Sequence, residues 1–492
     1  MRKRMIISTV MVALFSCALL VRICYIAVSG AYTVSDSYNS YSVLLDNVEP
    51  YIYDCHFTKL TNNRLTYLAV LKPNEKTLAA LPTLFSDTSN IIEELKQGKP
   101  LVKSVNVSYH RSIRIFASYE SESTCRQLLD RNSSGLMKYL PSSVGNRKIS
   151  FYVDALGRML SGDEGRIVDN NYDSQQGLQL TLDNRIQQIT YDACSKMKSG
   201  CAVVMNVADG AVLAVVNKPD SSYLNKAFTL FPAGSVFKVA VAASALEHHL
   251  NPSFDCTGSI QVGNITFSCQ KHKAHDTQHL KEALANSCNC YFVNLALQLG
   301  AENLLEIMAA LGFDDKTKIY DGWQIQNASL PTVDDLRSKG QLALLGFGQG
   351  KLLVTPLQIA SMLCTVANGG TYHSPYLVTY TVDDSGKKTV YLNDKSSETV
   401  LHHRELLDYL RYVVTDGTGK SADYLSQSAG KTATAQTGQY RNGEEILNTW
   451  FAGVYPYEKP QYAVVIMTED GISGATDCCP IFRTIVENLS AL

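Results

Sequence analysis

Apolar and polar positions along this chain follow three different periods, and each period predicts a different kind of element. Behind the basic cluster Arg2-Lys3-Arg4, residues 5–21 are almost wholly apolar, Arg22 interrupts, and residues 23–28 resume the apolar run. About twenty such residues span a bilayer, and a basic flank is retained in the cytoplasm. Residues 1–29 are therefore read as a cytoplasmic tip and a single transmembrane anchor, with Arg22 snorkelling to the outer interface. The small residues Ala27-Val28-Ser29 also suit a signal-peptide cleavage site, which is the rival reading. An uncleaved anchor is preferred, with the N-terminus cytoplasmic and the main body extracytoplasmic.

Residues 30–175 are rich in Tyr, Ser and Asn, with strand-like runs at 112–117 and 148–153, and are read as a short N-terminal domain. The polar, turn-prone residues 170–176 mark its end, so a second domain covers 176–492. That domain opens with a strand over 177–183 ending at Asp183, a good helix cap, and a helix from 184 to about 197. Apolar strands at 201–207 and 211–216 flank Asp209-Gly210, a strong hairpin signal. Residues 236–243 are apolar on nearly all sides, as in a buried helix. Strands at 428–436, 449–455 and 462–468 and a closing helix at 481–489 complete the pattern. A hairpin first, helices in the middle, three strands and a helix last predict an α+β fold. Its core is an antiparallel five-stranded sheet flanked by helices.

Composition narrows the function classes. The chain has 492 residues, 45% of them hydrophobic, enough for a sizeable core. Formal net charge is −2, with no long basic run beyond the extreme N-terminus, so nucleic acid is excluded as a partner.

Three short signatures then carry the chemistry: Ser235-Val236-Phe237-Lys238, Ser287-Cys288-Asn289 and Lys431-Thr432-Ala433-Thr434. They match the S-x-x-K, S-x-N and K-T-G set of serine acyltransferases, with alanine in place of the glycine. Other S-x-x-K and S-x-N strings occur, such as Ser385 to Lys388, but in exposed, turn-like surroundings. Ser235 instead opens the apolar stretch that ends at Ala243. A helical turn brings Ser235 and Lys238 to one face. A lysine stripped of water favours its neutral form and becomes a base for the hydroxyl. Backbone N–H groups at the helix start favour developing negative charge.

From about Gly177 to its end the chain resembles the transpeptidase domain of class B penicillin-binding proteins. Besides the three signatures it shares Leu180-Thr181-Leu182-Asp183, Gly348-Gln349-Gly350, Thr355-Pro356-Leu357-Gln358, Ala367-Asn368-Gly369-Gly370 and Trp450-Phe451-Ala452-Gly453. Pro50-Tyr51-Ile52-Tyr53-Asp54 and Leu60-Thr61-Asn62 resemble, in degraded form, the start of that family's pedestal domain. The pedestal is short, and there is no room for the glycosyltransferase domain of class A relatives.

The resemblance implies a peptidoglycan D,D-transpeptidase, inhibited by β-lactams and needing no cofactor for catalysis. Ser235 would attack a stem peptide ending in D-Ala-D-Ala, Lys238 would take its proton, and Ser287 would relay a proton to the leaving amine. Asn289 would hold the acyl-chain amide, Lys431 and Thr432 would receive the substrate carboxylate, and the N–H groups of Ser235 and Thr434 would form the oxyanion hole. The expected partners are stem peptides, β-lactams, the cell membrane and a membrane-embedded SEDS-family glycosyltransferase. The alternatives are a β-lactamase, a β-lactam sensor of the same fold, and a scaffold impaired by Ala433. Against them stand the missing Glu-x-x-Leu-Asn segment after Ser287 and the four residues before the anchor, too few for an output module. For Ala433, harmless variation is preferred to impairment.

Thirteen cysteines are many for a protein outside the membrane, and an odd number cannot pair fully within one chain. Cys256, Cys269, His275 and Cys288 are separated by twelve, five and twelve residues and make a candidate structural zinc set. Such an ion would brace the loop bearing Ser287 and Asn289. A Cys256–Cys269 disulfide is the rival, and His272, His279 and Cys290 are near enough in sequence to substitute as ligands.

Overall fold

The structure is a computed structural model that describes residues 2–29, 39–131, 135–154, 156–391 and 397–492. The expected junction at 29/30 runs into residues 30–38, which lie outside the described residues. The chain forms two compact units. One comprises residues 1–48, 65–119 and 145–172, and the other 49–64, 120–144 and 173–492.

In the first unit, the helix Arg2–Ser29 contains the stretch Ile6–Tyr25, long and apolar enough to cross a membrane. Two three-stranded sheets follow. Gly145–Tyr152 lies between Ser40–Val48 and Arg166–Asn170, and Arg64–Leu71 lies between Leu101–Val105 and Arg114–Glu120. Period-two alternation sends the central strand's side chains to opposite faces. Ala69 and Leu71 pack with Leu81 and Leu95, while Val70 packs with Leu45, Ile149 and Phe151.

The second unit is built on a five-stranded sheet, ordered Val212–Lys218, Gly200–Asn206, Tyr462–Glu469, Glu444–Tyr455, Ala429–Arg441, with every neighbour antiparallel. Both faces are covered, so the strands are apolar on both sides rather than alternating with polar residues. Ala202, Val204, Phe451 and Ile466 face the helices Asn184–Ala193 and Cys479–Leu489 through Ile186, Phe482 and Ile485. Cys201, Val203, Trp450 and Met467 face the other way, into the large core that holds the helices Lys238–Glu247 and Pro356–Ala367. Ala429–Arg441 is the edge strand, so one row of its backbone groups is free of sheet pairing.

Element and domain boundaries expected from sequence differ from the structure in places, and the strand expected over 177–183 ends at Leu180. The helix after Asp183 ends at Ala193, not near 197: the Cys194 N–H makes the last helical bond, to the Thr190 carbonyl at 3.1 Å, and residues 194–196 form a turn leading toward the strand Gly200–Asn206. The single cut at 175/176 also differs from the division into compact units. Tyr51–Tyr53 pairs in parallel with Gly177–Leu180, and Cys125, Leu128 and Leu136 join the large core, so residues 49–64 and 120–144 belong with the C-terminal unit.

Candidate active site

Ser235 stands in the 3₁₀ turn Gly234–Phe237, which runs into the helix Lys238–Glu247, so it precedes the α-helix instead of opening it. The tighter turn has three residues per revolution and stacks positions i and i+3, here Ser235 and Lys238. Glycines make the turn possible. Gly234 has φ +55°, and a Cβ on it would lie 2.9 Å from Cβ of Ala435 on the edge strand. Its N–H donates to the Gly348 carbonyl at 2.9 Å, and a Cβ on Gly348 would fall 2.0 Å from the Gly234 carbonyl oxygen. The Gly348-Gln349-Gly350 loop thus holds the serine turn against the edge strand.

Lys238 is completely buried. Its Nζ donates to the Ser287 carbonyl at 2.7 Å, to Asn289 Oδ1 at 2.7 Å and to Ser287 Oγ at 3.3 Å. Burial pulls its pKa down to about 8, against the opposing pull of the nearby Cys288, Cys269 and Cys290 thiols. Ser287 carries a left-handed backbone, φ +53°, a conformation non-glycine residues adopt at a cost. The bonds of its N–H to the Leu284 carbonyl (3.2 Å) and of the Cys288 N–H to the Ala283 carbonyl (2.9 Å) hold that geometry. It brings the Ser287 carbonyl and hydroxyl to the same ammonium. Asn289 begins the helix Asn289–Ala310, and its Nδ2 donates to the Ser268 carbonyl at 3.0 Å.

Lys431 is also completely buried, and its Nζ donates to the Thr432 carbonyl at 2.9 Å. Burial first, then the charge of Lys238, holds its pKa well below the usual lysine value. Thr434 is half-buried two residues further along the edge strand. Ala433 pairs with Trp450 across the sheet, is 4% exposed and belongs to the large core. Its methyl is packing, not a wall of an open groove.

One contact had no signature in the sequence. The Thr418 and Thr432 hydroxyls are 2.6 Å apart. Thr418 sits in the turn between the helix Glu405–Thr415 and the edge strand. The string Asp416-Gly417-Thr418-Gly419 reads only as a turn, and nothing local marks a partner fourteen residues away.

The metal candidates come together behind Ser287. The ligand atoms of Cys256, Cys269, His275 and Cys288 all lie within 4.8 Å of one another. Cys269 Sγ is 3.7 Å from Cys256 Sγ and 3.6 Å from Cys288 Sγ, and Cys256 Sγ is 3.6 Å from His275 Nδ1. Ligands about 2.3 Å from a tetrahedral zinc stand about 3.8 Å apart, so the spacing fits a closed site. Hydrogen bonds from Cys288, then Cys290, favour the thiolate of Cys269, while the contact with Cys269 holds the Cys288 thiol protonated. Cys256 and Cys269 are free thiols here, not the disulfide weighed from sequence. Of the substitute ligands, Cys290 Sγ lies 3.5 Å from Cys269 Sγ, whereas His272 and His279 are exposed. A second group, Cys55, His56 and Asp183, has its charge already matched. Arg185 Nη2 sits 2.7 Å from the Asp183 carboxylate and 2.9 Å from His56 Nε2.

Residues 200–487 match the family model described as the penicillin binding protein transpeptidase domain. The chain is 28% identical over 395 residues to the stage V sporulation protein D of Bacillus subtilis, covering 72% of this chain and 59% of that protein. It is likewise 28% identical over 370 residues to a peptidoglycan D,D-transpeptidase FtsI homolog of Mesostigma viride, covering 63% and 61%. The chain thus spans about three-fifths of the length of these two relatives. Among solved structures it resembles penicillin binding protein 3 of Mycobacterium tuberculosis, complexed with aztreonam. That match has a TM-score of 0.64 at 22% identity and covers 91% of this chain and 97% of the other.

Proposed function

This chain belongs to the penicillin-binding protein transpeptidase family, and we propose that it is a membrane-anchored class B peptidoglycan D,D-transpeptidase working through a serine acyl-enzyme. The observation that carries the reading is the buried Lys238 amine, one 3₁₀ turn from Ser235 and bonded at once to Ser287 and Asn289. In its neutral form Lys238 accepts the Ser235 proton as the hydroxyl oxygen attacks the penultimate carbonyl of a stem ending in D-Ala-D-Ala. The Ser235 O–C bond forms, the amide C–N bond breaks, and the proton passes through Ser287 to the leaving D-Ala amine. An amine from a second stem then attacks the ester, an amide cross-link forms, and Ser235 regains its proton. Asn289 fits the acyl-chain amide. Lys431 and Thr432 offer positive field and a hydroxyl to the terminal carboxylate, and the N–H groups of Ser235 and Thr434 serve as oxyanion donors.

The helix Arg2–Ser29 anchors the chain in the cell membrane as a single pass, with the basic residues 2–4 in the cytoplasm and the catalytic unit outside. A SEDS-family glycosyltransferase in the same membrane is the proposed partner. Cys256, Cys269, His275 and Cys288 would hold a structural zinc ion, which would supply no chemistry to the reaction and would stiffen the loop leading to Ser287. Protein purified without chelator should contain about one zinc per chain by elemental analysis, and a metal-free protein with Cys256 bonded to Cys269 would rule the site out.

Labelled penicillin tests the function. A persistent adduct on Ser235, lost in Ser235→Ala with the fold intact, is the expected result. Rapid hydrolysis of the drug would mean a β-lactamase, and no adduct would mean a scaffold.

A further inference from the structure

The Thr418–Thr432 contact is used by none of the steps above, and it joins two walls of the site. Thr418 has little freedom of position. A Cβ on Gly417 would lie 2.4 Å from the Ala285 carbonyl oxygen, and the Thr418 N–H donates to that same oxygen at 3.2 Å. Ala285 ends the helix Leu280–Ala285, and the next turn carries Ser287. On the far side, the Gly419 N–H donates to the Val413 carbonyl at 3.0 Å. The turn is therefore tied to the segment leading to Ser287 and to its own preceding helix, and its Thr418 hydroxyl meets the edge strand at Thr432, with Thr418 itself exposed.

At 2.6 Å one of the two hydroxyls donates its proton to the other. The pair owns two protons, so one remains to be donated elsewhere, and neither hydroxyl has another hydrogen-bond partner among the described residues. If Thr418 donates to Thr432, the Thr432 proton must point away from Thr418. A hydroxyl that accepts one bond is a stronger donor in the next. What such a donor suits best is an anionic oxygen.

We propose that Thr418 is a positioning and specificity residue: through its hydroxyl it turns the Thr432 O–H toward the terminal carboxylate of the donor stem peptide or of a β-lactam. This rests on the transpeptidase reading, in which Thr432 faces that carboxylate. Discrimination for an acid over its ester then depends on a side chain that sits outside all three signatures.

The test compares the second-order acylation rates of the full-length protein with benzylpenicillin and with its methyl ester, which lacks the anion. Thr418→Val keeps the shape and loses the hydroxyl, and should slow the acid about tenfold, the scale of one charge-assisted hydrogen bond. The ester should change by less than about twofold, and Thr418→Ser should restore the acid rate. Equal slowing of acid and ester in the folded Val variant would mean that Thr418 only braces the turn, and overturns the proposal. Unchanged rates for both, or no rescue by serine, overturn it as well. Failure of the transpeptidase reading looks different: the wild-type protein itself would take up neither compound at Ser235, and the inference would go with it.

Discussion

Lys238 keeps its amine out of water, and its three acceptors belong to Ser287 and Asn289. Because burial lowers its pKa to about 8, its neutral, base-competent form grows as pH rises through that value. Acylation by a β-lactam should therefore accelerate from about pH 6.5 upward and level off above about pH 9. Stopped-flow labelling across that range checks it, and a rate that falls with pH would remove Lys238 as the base. Ala433 poses a different question, since it stands where the family has glycine and sequence alone favours harmless variation over impairment there. Its methyl is buried against the sheet's own packing. Ala433→Gly should leave the acylation rate within about twofold and cost about 1 kcal/mol of stability, from the lost methyl and the freer unfolded chain. A markedly faster acylation would mean that the methyl does constrain the groove.

The elements that carry these side chains are held by glycine contacts and by a thiol-lined loop. Gly348 has φ +79° and touches the Gly234 carbonyl, while Gly443 has φ +84° with open space around it. Alanine at either place meets the same backbone penalty, about 1–2 kcal/mol, but only Gly348→Ala also drives a methyl into the serine turn. Penicillin labelling should fall strongly in Gly348→Ala and stay near wild type in Gly443→Ala, read on gels at matched folded protein. The loop bearing the metal candidates is tied to Ser287 by its own bonds. Phe254–Cys256 pairs with Asp276–Gln278, and Asn286 Nδ2 donates to Gln278 Oε1 at 3.2 Å. If these four ligands hold zinc, stripping it with a chelator should slow acylation while leaving the residual adduct on Ser235, and added zinc should restore the rate. An unchanged rate in protein proven metal-free would detach this loop from catalysis.

At the scale of the whole molecule, a membrane-length helix and a catalytic unit with its own core predict separable behaviour. Removing residues 1–29 should shift the protein from the membrane to the soluble fraction with penicillin labelling retained, since none of the proposed site residues lies there. The apolar N-terminal helix, the Asp209-Gly210 hairpin, the three C-terminal strands and the order of the three signatures were all legible in the sequence. Each is written in local periodicity or in residue types a few positions apart, and a short window suffices to read it. The same local character let Cys256, Cys269, His275 and Cys288 be grouped, though spacing could not say whether they converge. Only the tertiary structure decided that they do, that the Ala433 methyl is buried, that residues 49–64 and 120–144 pack with the catalytic unit, and that Thr418 meets Thr432. These facts depend on which surfaces meet after long loops close, and a chain's local pattern carries no record of that until the core brings them together.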